Sequence, residues 1–356
     1  MNLDFLKPKS QPLIGVDIST SAVKIVELSG SKRYLTLERF AVEPLPRSAI
    51  SDGNIVDTEA IGEAIRKAWR ASGSRVKNVA IALPSAAVIT KKIILPETRT
   101  ESELEMQVSM EAYQHIPFSA DEVNLDFQIL GPAPASPGEI EVLITAAKKE
   151  KVDDRIAAVE SAGLKPVVLD VESFAGQAAF ELIEGQLPRQ GSETISAIID
   201  IGAATTHINV VKGSQQIYFR EQAFGGNQLS TEIQRKFNLS PEEAEVAKRN
   251  GGLPDNYVME ILQPFMESVA SEVARAIQFF FTSTQYNHIH NIILSGGCSA
   301  IKRLNEVVAE RTNITTVVAN PFANMSHASR VKTRQLLAIA PTLMIACGLA
   351  LRRFDP

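Results

Sequence analysis

Short apolar runs alternate with longer amphipathic segments from the first residues onward. LIGVDIS (13–19), AVKIVELS (22–29) and YLTLERFAVEPL (34–45) are rich in β-branched and aromatic residues and read as three strands. DTEAIGEAIRKAWRASG carries Ile61, Ile65 and Trp69 four residues apart, the spacing of one helix face, and Gly73 marks its end. NVAIALP is a strand closed by Pro84. This β-β-β-α-β order predicts an α/β layer. AVITKKIILPE then reads as a strand stopped by Pro96. ESELEMQVSMEAYQHIP reads as a helix with Thr100 as N-cap and Glu103 at capping-box spacing. VNLDFQIL and IEVLITAAK predict an antiparallel pair across the proline-rich loop GPAPASPGE, and KEKVDDRIAAVESAG a helix with Gly163 just past its end. Residues 85–165 are thus expected to form a β-α-β-β-α insertion.

The pattern then repeats. After the strand and helix of PVVLDVESFAGQAAFELI, the segment AIIDIGAATTHINVVK superimposes on LIGVDISTSAVKIVEL, with Asp17 on Asp200, 183 residues apart. Each copy is an apolar strand, an Asp, a short polar turn and a second strand. Two such units predict a duplicated two-lobe protein with a cleft between the lobes. The second lobe continues with QQIYFREQAFGG as a strand and NQLSTEIQRKFN as a helix. A helix then opens at Ser240-Pro241, and SVASEVARAIQFFFTS buries Val269, Val273, Ala276, Ile277 and Phe280 on one side. HIHNIILSGGCSAIKRLNEVVAER reads strand, glycine turn, helix, and TTVVAN a short strand. Leu336–Leu351, interrupted by Pro341, reads as a buried helix, shorter than the ~18 residues a membrane span needs.

Composition narrows the class. The 356 residues suffice for two or three domains. The net charge of -5 argues against a dedicated nucleic-acid binder, which needs a basic surface. Two cysteines, Cys298 and Cys347, build neither a disulfide framework nor a zinc site, as expected of a reducing cytosol. His288 and His290 read as surface loop residues. The N-terminal MNLDFLKPKS lacks the apolar run of a secretory signal; Leu3, Phe5 and Leu6 beside Lys7 and Lys9 make it either a flexible tail or a membrane or partner contact.

Four elements converge on phosphate chemistry. Asp17, Ser19, Thr20 and Ser21, with Lys24, form a turn whose N–H and hydroxyl groups can wrap an anion. Asp200, Gly202, Ala203, Thr205 and Thr206 offer an opposed turn. Two such turns can clamp the outer phosphates, and Asp17 and Asp200 can face a divalent metal through water, since Mg²⁺ keeps much of its hydration shell. Ser295, Gly296 and Gly297 follow a strand and precede a helix, where backbone can approach a nucleotide. Glu245 and Lys248 either reach a ribose or adenine or pair with each other on a helix face; Glu272 and Arg275 read as such a pair.

The series DISTSAVK, VLDVESFAGQAAF, DIGAATTHI, ILSGGCSAIKRL and IACGLAL resembles the actin/hexokinase/heat-shock-70 ATPase superfamily. With VSMEAYQHIPF, FREQAFGGNQLS and ASEVARAIQFF added, the whole chain resembles the PilM family of type IV pilus assembly, in the FtsA-like branch. The resemblance implies an actin-like (ribonuclease H-like) fold. Its subdomains would be 1A (1–84, 166–194 and a C-terminal helix at 336–356), an FtsA-type 1C insertion of the SHS2 class (85–165), 2A (195–224 and 286–335) and 2B (225–285). It adds Gly225, Gly226 and Asn227 to the nucleotide site and implies ATP or ADP with Mg²⁺ as cofactors. As partner it implies the N-terminal cytoplasmic tail of PilN in a groove between 1A and 1C, with other platform proteins and motor ATPases of pilus biogenesis and twitching motility alongside. The protein would then lie at the inner face of the cytoplasmic membrane, held there through its partners, without nucleic acid.

The sequence also departs from the superfamily pattern. Ser19 and Ser21 stand where actin-like proteins carry glycines, Ala203 and Ala204 where actin has Asp and Gly, and His207 where actin has a water-positioning His. No general base for attack on the γ-phosphate is evident, so turnover is expected to be weak or absent. Two rivals are a small-molecule kinase and an FtsA-like filament former; against the latter, the sequence given ends at GLALRRFDP without an amphipathic membrane helix. Residues Ala86–Ile94 and the helix around Met106, Met110 and Tyr113 are candidates to line the partner groove; the alternative is that these three side chains are core.

Overall fold

A computed structural model describes residues 11–51, 53–97, 100–133, 136–213 and 215–355. The reading of the first ten residues as a tail lies outside them. The first lobe opens with β1 (Ile14–Ile18), β2 (Ala22–Ser31) and β3 (Tyr34–Pro44), followed by the two-residue strands β4 (Ile50–Ser51) and β5 (Asn54–Ile55). Helix α1 (Thr58–Ser72) starts at Asp57, whose carboxylate accepts from the Ala60 N–H, and ends at Gly73 in the left-handed conformation. Strand β6 (Asn78–Leu83) leads into β7 (Val88–Pro96), α2 (Glu101–Ala112), β8 (Val123–Pro132) and β9 (Glu139–Lys148). Then come α3 (Lys149–Ser161), β10 (Lys165–Val171) and α4 (Glu172–Glu184).

The second lobe contains β11 (Ile195–Ile201), β12 (Thr206–Lys212), β13 (Gln215–Gln222), α5 (Gly226–Phe237), α6 (Pro241–Asn250), α7 (Gln263–Ser283), β14 (Asn291–Ser295), α8 (Leu304–Thr312) and β15 (Thr315–Val318). The chain closes with β16 (Ser326–His327), α9 (Thr333–Ile339) and α10 (Met344–Leu351).

The duplication is visible in the sheets. The first runs β10-β6-β1-β2-β3-β16 and the second β13-β12-β11-β14-β15. In each, an antiparallel three-strand meander is extended by parallel strands on the side of its first strand. The register repeats to the residue: Asp17 lies opposite Lys24, and Asp200 opposite His207.

Side-chain alternation sets which face each strand buries. Ile14, Val16 and Ile18 pack with α1 and α3, whereas Ala197, Ile199 and Ile201 pack with the second-lobe helices. The opposite faces of the two sheets share one core, where Val26, Leu28, Ile198 and Ile293 meet Phe180, Leu343, Met344 and Cys347. Helices α4 and α10 are therefore clamped between the lobes. The clamp is tight at backbone level: a Cβ on Gly15 would stand 2.1 Å from the Ala346 carbonyl oxygen, and one on Gly348 would stand 1.8 Å from that of Ala175.

Two expectations need correction. The C-terminal apolar stretch is not one short helix. A helical run over Thr333–Phe354 is long and apolar enough, by length and composition, to cross a membrane, and 56% of its most apolar stretch is buried inside the protein. It is broken by a 3-10 turn over Ala340–Leu343, where Pro341 cannot continue an α-helix. Helix α3, assigned to the insertion, buries Ala158 and Val159 in the core of the first sheet, with Ala162 just past its end beside them. The insertion's own core closes with β9: Ile93, Leu95, Val142 and Ile144 of the β7-β9-β8 sheet pack on Leu104, Val108 and Ala112 of α2.

The glycine contacts generate a paired prediction. Gly348→Ala should lower the unfolding free energy by about 2 kcal/mol or more, because its methyl would drive into backbone. Gly176→Ala, in the facing helix with nothing within 4 Å, should leave stability unchanged or raise it by ~0.5–1 kcal/mol. Urea denaturation of both variants checks the contrast.

Candidate functional site

Period-2 alternation points Asp17 and Asp200, at the carboxyl ends of β1 and β11, away from the helices on the outer faces and into the space between the lobes. Asp17 is fully buried, and the Lys24 ammonium lies 2.8 Å from its Oδ2. Lys24 also donates to Ser19 Oγ at 3.2 Å, and Ser19 Oγ donates in turn to the Ala22 carbonyl at 2.9 Å. The turn Ser19-Thr20-Ser21 is therefore built around a lysine. Burial alone would lower the Lys24 pKa; Asp17, with Asp200 and Glu172, outweighs it and holds the ammonium above its ordinary value.

The second turn is built from backbone. The Gly202 N–H donates to the Thr205 carbonyl, the Gly226 N–H to that of Gly202, and the Asn227 N–H to that of Ala203. Gly225 and Gly226 thus seat the start of α5 on this turn; a Cβ on Gly225 would lie 2.7 Å from two carbonyl oxygens. Buried Thr206 donates to the Phe224 carbonyl at 2.8 Å, and Thr205 Oγ1 stands 3.4 Å from His207 Nε2.

Ser295 Oγ donates to Asp200 Oδ2 at 3.2 Å. Gly296, at φ +83°, is required by this packing: a Cβ there would meet the Ile201 carbonyl oxygen at 2.5 Å and Asp200 Oδ1 at 2.6 Å. Gly297 faces open space. The expected α-helix does not start here. A 3-10 turn over Gly297–Ala300 intervenes, and α8 begins only at Leu304, after Arg303 in the left-handed region. The helix-dipole part of that expectation is withdrawn.

Glu245 and Lys248 pair with each other. Lys248 Nζ lies 2.8 Å from Glu245 Oε1 and 2.7 Å from Ser230 Oγ, and Ser230 also donates to Glu245. Arg47 of the first lobe reaches the same carboxylate at 3.1 Å, so the pair spans the lobes. Glu272 and Arg275 pair as read.

A cavity of about 370 Å³, counting the space open to solvent, lies between the lobes and is lined by Glu172, Asp200, His207, Asn209 and Ser295 among others. Glu172 and Asn209 of this lining, and Arg155 nearby, are not among the residues that the sequence motifs single out. Glu172, the first residue of α4, is a carboxyl at the base of the cleft, and desolvation raises its pKa against the fields of His207 and Arg155. Asn209 is 5% exposed, and its Oδ1 has no partner. Buried Arg155 donates to the Ile18 carbonyl at 3.0 Å. Glu172 lies within VLDVESFAGQAAF and Asn209 one residue past DIGAATTHI, but the spacing of neither marks it as functional. His207 Nε2 stands 3.0 Å from Glu221 Oε2. Burial opposes charge on this imidazole, but the Glu221 hydrogen bond and the fields of Glu172 and Asp200 push its pKa up to about 9.

The donor set fits an anion held by Lys24 and the two turns, with the orphan Asn209 oxygen left to accept from a ligand or water. No cluster of three metal-ligating side chains exists among the described residues. Asp17 and Asp200 both face the cleft, where a metal would have to meet them.

Comparisons with known proteins agree with this fold. The model of the family described as "Type IV pilus assembly protein PilM" matches residues 15–354. The solved "PilM-PilN type IV pilus biogenesis complex" superimposes with a TM-score of 0.81 at 29% identity, covering 98% of this chain and 100% of that one. Ta0583, an archaeal actin homolog, superimposes at a TM-score of 0.50 and 13% identity, with 96% and 98% of the two chains covered, which shows the actin-like fold. Among curated proteins, ethanolamine utilization protein EutJ of Escherichia coli (strain K12) is 34% identical over 83 residues, 23% of this chain. The match spans only 29% of that relative's length.

The His207 ion pair carries a signed pH dependence. Its folded pKa lies above the ordinary 6.5, so the stability it contributes is complete below about pH 6.5 and is lost as pH rises through about 9. Histidine proton NMR should find one imidazole titrating near pH 9, absent in His207→Gln, and the variant should lose less stability than the parent between pH 7 and 10.

Proposed function

Because the chain belongs to the type IV pilus assembly protein PilM family, we propose that it is an ATP-binding scaffold of the pilus platform that takes the N-terminal cytoplasmic tail of PilN in a groove between its first lobe and its insertion. The observation that carries this reading is the outer face of α2. Leu104, Val108 and Ala112 are buried, while Met106, Met110 and Tyr113, four and three residues apart, are 63%, 69% and 41% exposed. These three are not core, so that alternative falls. They form apolar surface that nothing among the described residues covers, whereas Ile94, 53% exposed on β7, alternates with buried Ile93 and Leu95 and lies on the sheet face away from α2. The similarity to a solved complex containing PilN supports the choice of occupant. The protein would then work on the cytoplasmic side of the membrane, where that tail emerges.

The cleft supports the nucleotide half of the reading. Lys24 and the turns at Ser19–Ser21 and Gly202–Thr206 would hold the phosphates, with Gly297 beside open space. The phosphates would enter beside Asp17 and Asp200, so a divalent cation, held through water by these two, is needed to offset the like charge. Burial raises the pKa of Glu172, the carboxyl at the base of the cleft, and so reduces the share of its proton-accepting form relative to an exposed glutamate. Imidazolium His207, bound to Glu221, cannot serve instead. Turnover is accordingly slow, and ATP acts mainly by favouring the lobe arrangement it binds best.

Calorimetric titration with a peptide copying the PilN tail tests this. One-to-one binding is expected, abolished in Met110→Glu while circular dichroism and thermal unfolding stay unchanged. Failure of the parent protein to bind the peptide would sink the assigned partner, and unfolding of Met110→Glu would return Met110 to a structural role.

A further inference from the structure

The insertion joins the first lobe through two chain crossings, and both are hydrogen-bonded to the cleft. The first crossing is the 3-10 turn Ser85–Ala87 between β6 and β7. Ser85 Oγ accepts from the Ser173 N–H at 3.0 Å, in the first turn of α4 and next to Glu172. The Ser173 carbonyl accepts from Asn209 Nδ2 of the second lobe at 3.2 Å. Asn209 stands two residues beyond His207, on the same face of β12, and lines the cleft beside Asp200. One residue of α4 thus holds the root of the insertion with its N–H and the second lobe with its C=O. The second crossing runs from β9 into α3, whose Arg155 donates to the Ile18 carbonyl, one peptide beyond Asp17. Pro84 and Ala87 of the first crossing and Lys151, Asp154 and Arg155 of the second line a common cavity of about 220 Å³, counting its open volume.

We propose that the Ser85–Ser173–Asn209 relay couples occupancy of the cleft to the insertion, so that Mg-ATP changes the affinity of the groove for its peptide. This rests on the function proposed above. A ligand between the two turns sets the position of β12 relative to α4. The Asn209 bond transmits that position to Ser173, and the Ser85 bond carries it to the root of β7, whose residues flank the groove. Arg155 anchors the other crossing against the first turn and makes the root pivot on one side only. By linkage the peptide must shift nucleotide affinity by the same factor.

The test measures the peptide Kd by calorimetry with and without Mg-ATP in the parent chain, Ser85→Ala, Asn209→Ala and the double variant. The parent is expected to show a change of at least about fivefold. Each single variant should bring the ratio below about twofold, and the double variant should go no further, because the two bonds act as one unit. A ratio of one in a parent chain that binds both ligands would overturn the relay and leave the scaffold reading standing. A parent chain that binds no peptide would sink both. Intact coupling in the variants, or loss of peptide binding itself in Ser85→Ala, would also overturn the relay, the latter by making Ser85 part of the groove.

Discussion

Close packing of α4 and α10 between two copies of one sheet is the constraint on which the rest depends. Gly15 on β1 and Gly348 on α10 let backbone meet backbone, and the shared core of Val26, Leu28, Ile198, Ile293 and Met344 holds both sheets against the same pair of helices. This aims the carboxyl ends of β1 and β11 into one cleft. Because each sheet buries one strand face on its own helices, the alternate face, which carries Asp17 and Asp200, has only the space between the lobes to occupy.

That geometry concentrates charge. The duplicated hairpins set a cation across from each aspartate, Lys24 opposite Asp17 and His207 opposite Asp200, and Arg155 and Glu172 add one group of each sign. Lys24 and His207 are held charged while Glu172 is pushed towards its neutral form. Positive charge thereby gathers beside both aspartates, in the cleft between the lobes.

The insertion has its own core and two short connections to the first lobe. Its roots are also packed on the first lobe, where Leu83 of β6 meets Ala147 of β9 and Val152 of α3, and are tied to it by the hydrogen bonds of Ser85 and Arg155. The outer face of α2 is left to solvent because its inner face already satisfies the small β7-β9-β8 sheet. The same packing that stabilises the insertion thus exposes the surface proposed to meet a partner.

Most elements, the duplication and the paired aspartates were legible in the sequence, because strand alternation, helix periodicity and turn chemistry are local and the second lobe repeats the first. Ser240 and Pro241, Thr100, Gly73 and Gly163 each act within a few residues of themselves. Only the tertiary structure decided matters that depend on distant neighbours. It set α3 on the first lobe, broke the C-terminal run at Ala340–Leu343, turned Gly296 into room for Asp200, and exposed Met106 and Met110. It also brought Glu172, Asn209 and Arg155 to the cleft from three separate segments. Their charge and hydrogen bonding come from groups far away in the chain, and desolvation and Coulomb fields depend on distance in space, which spacing along a sequence does not carry.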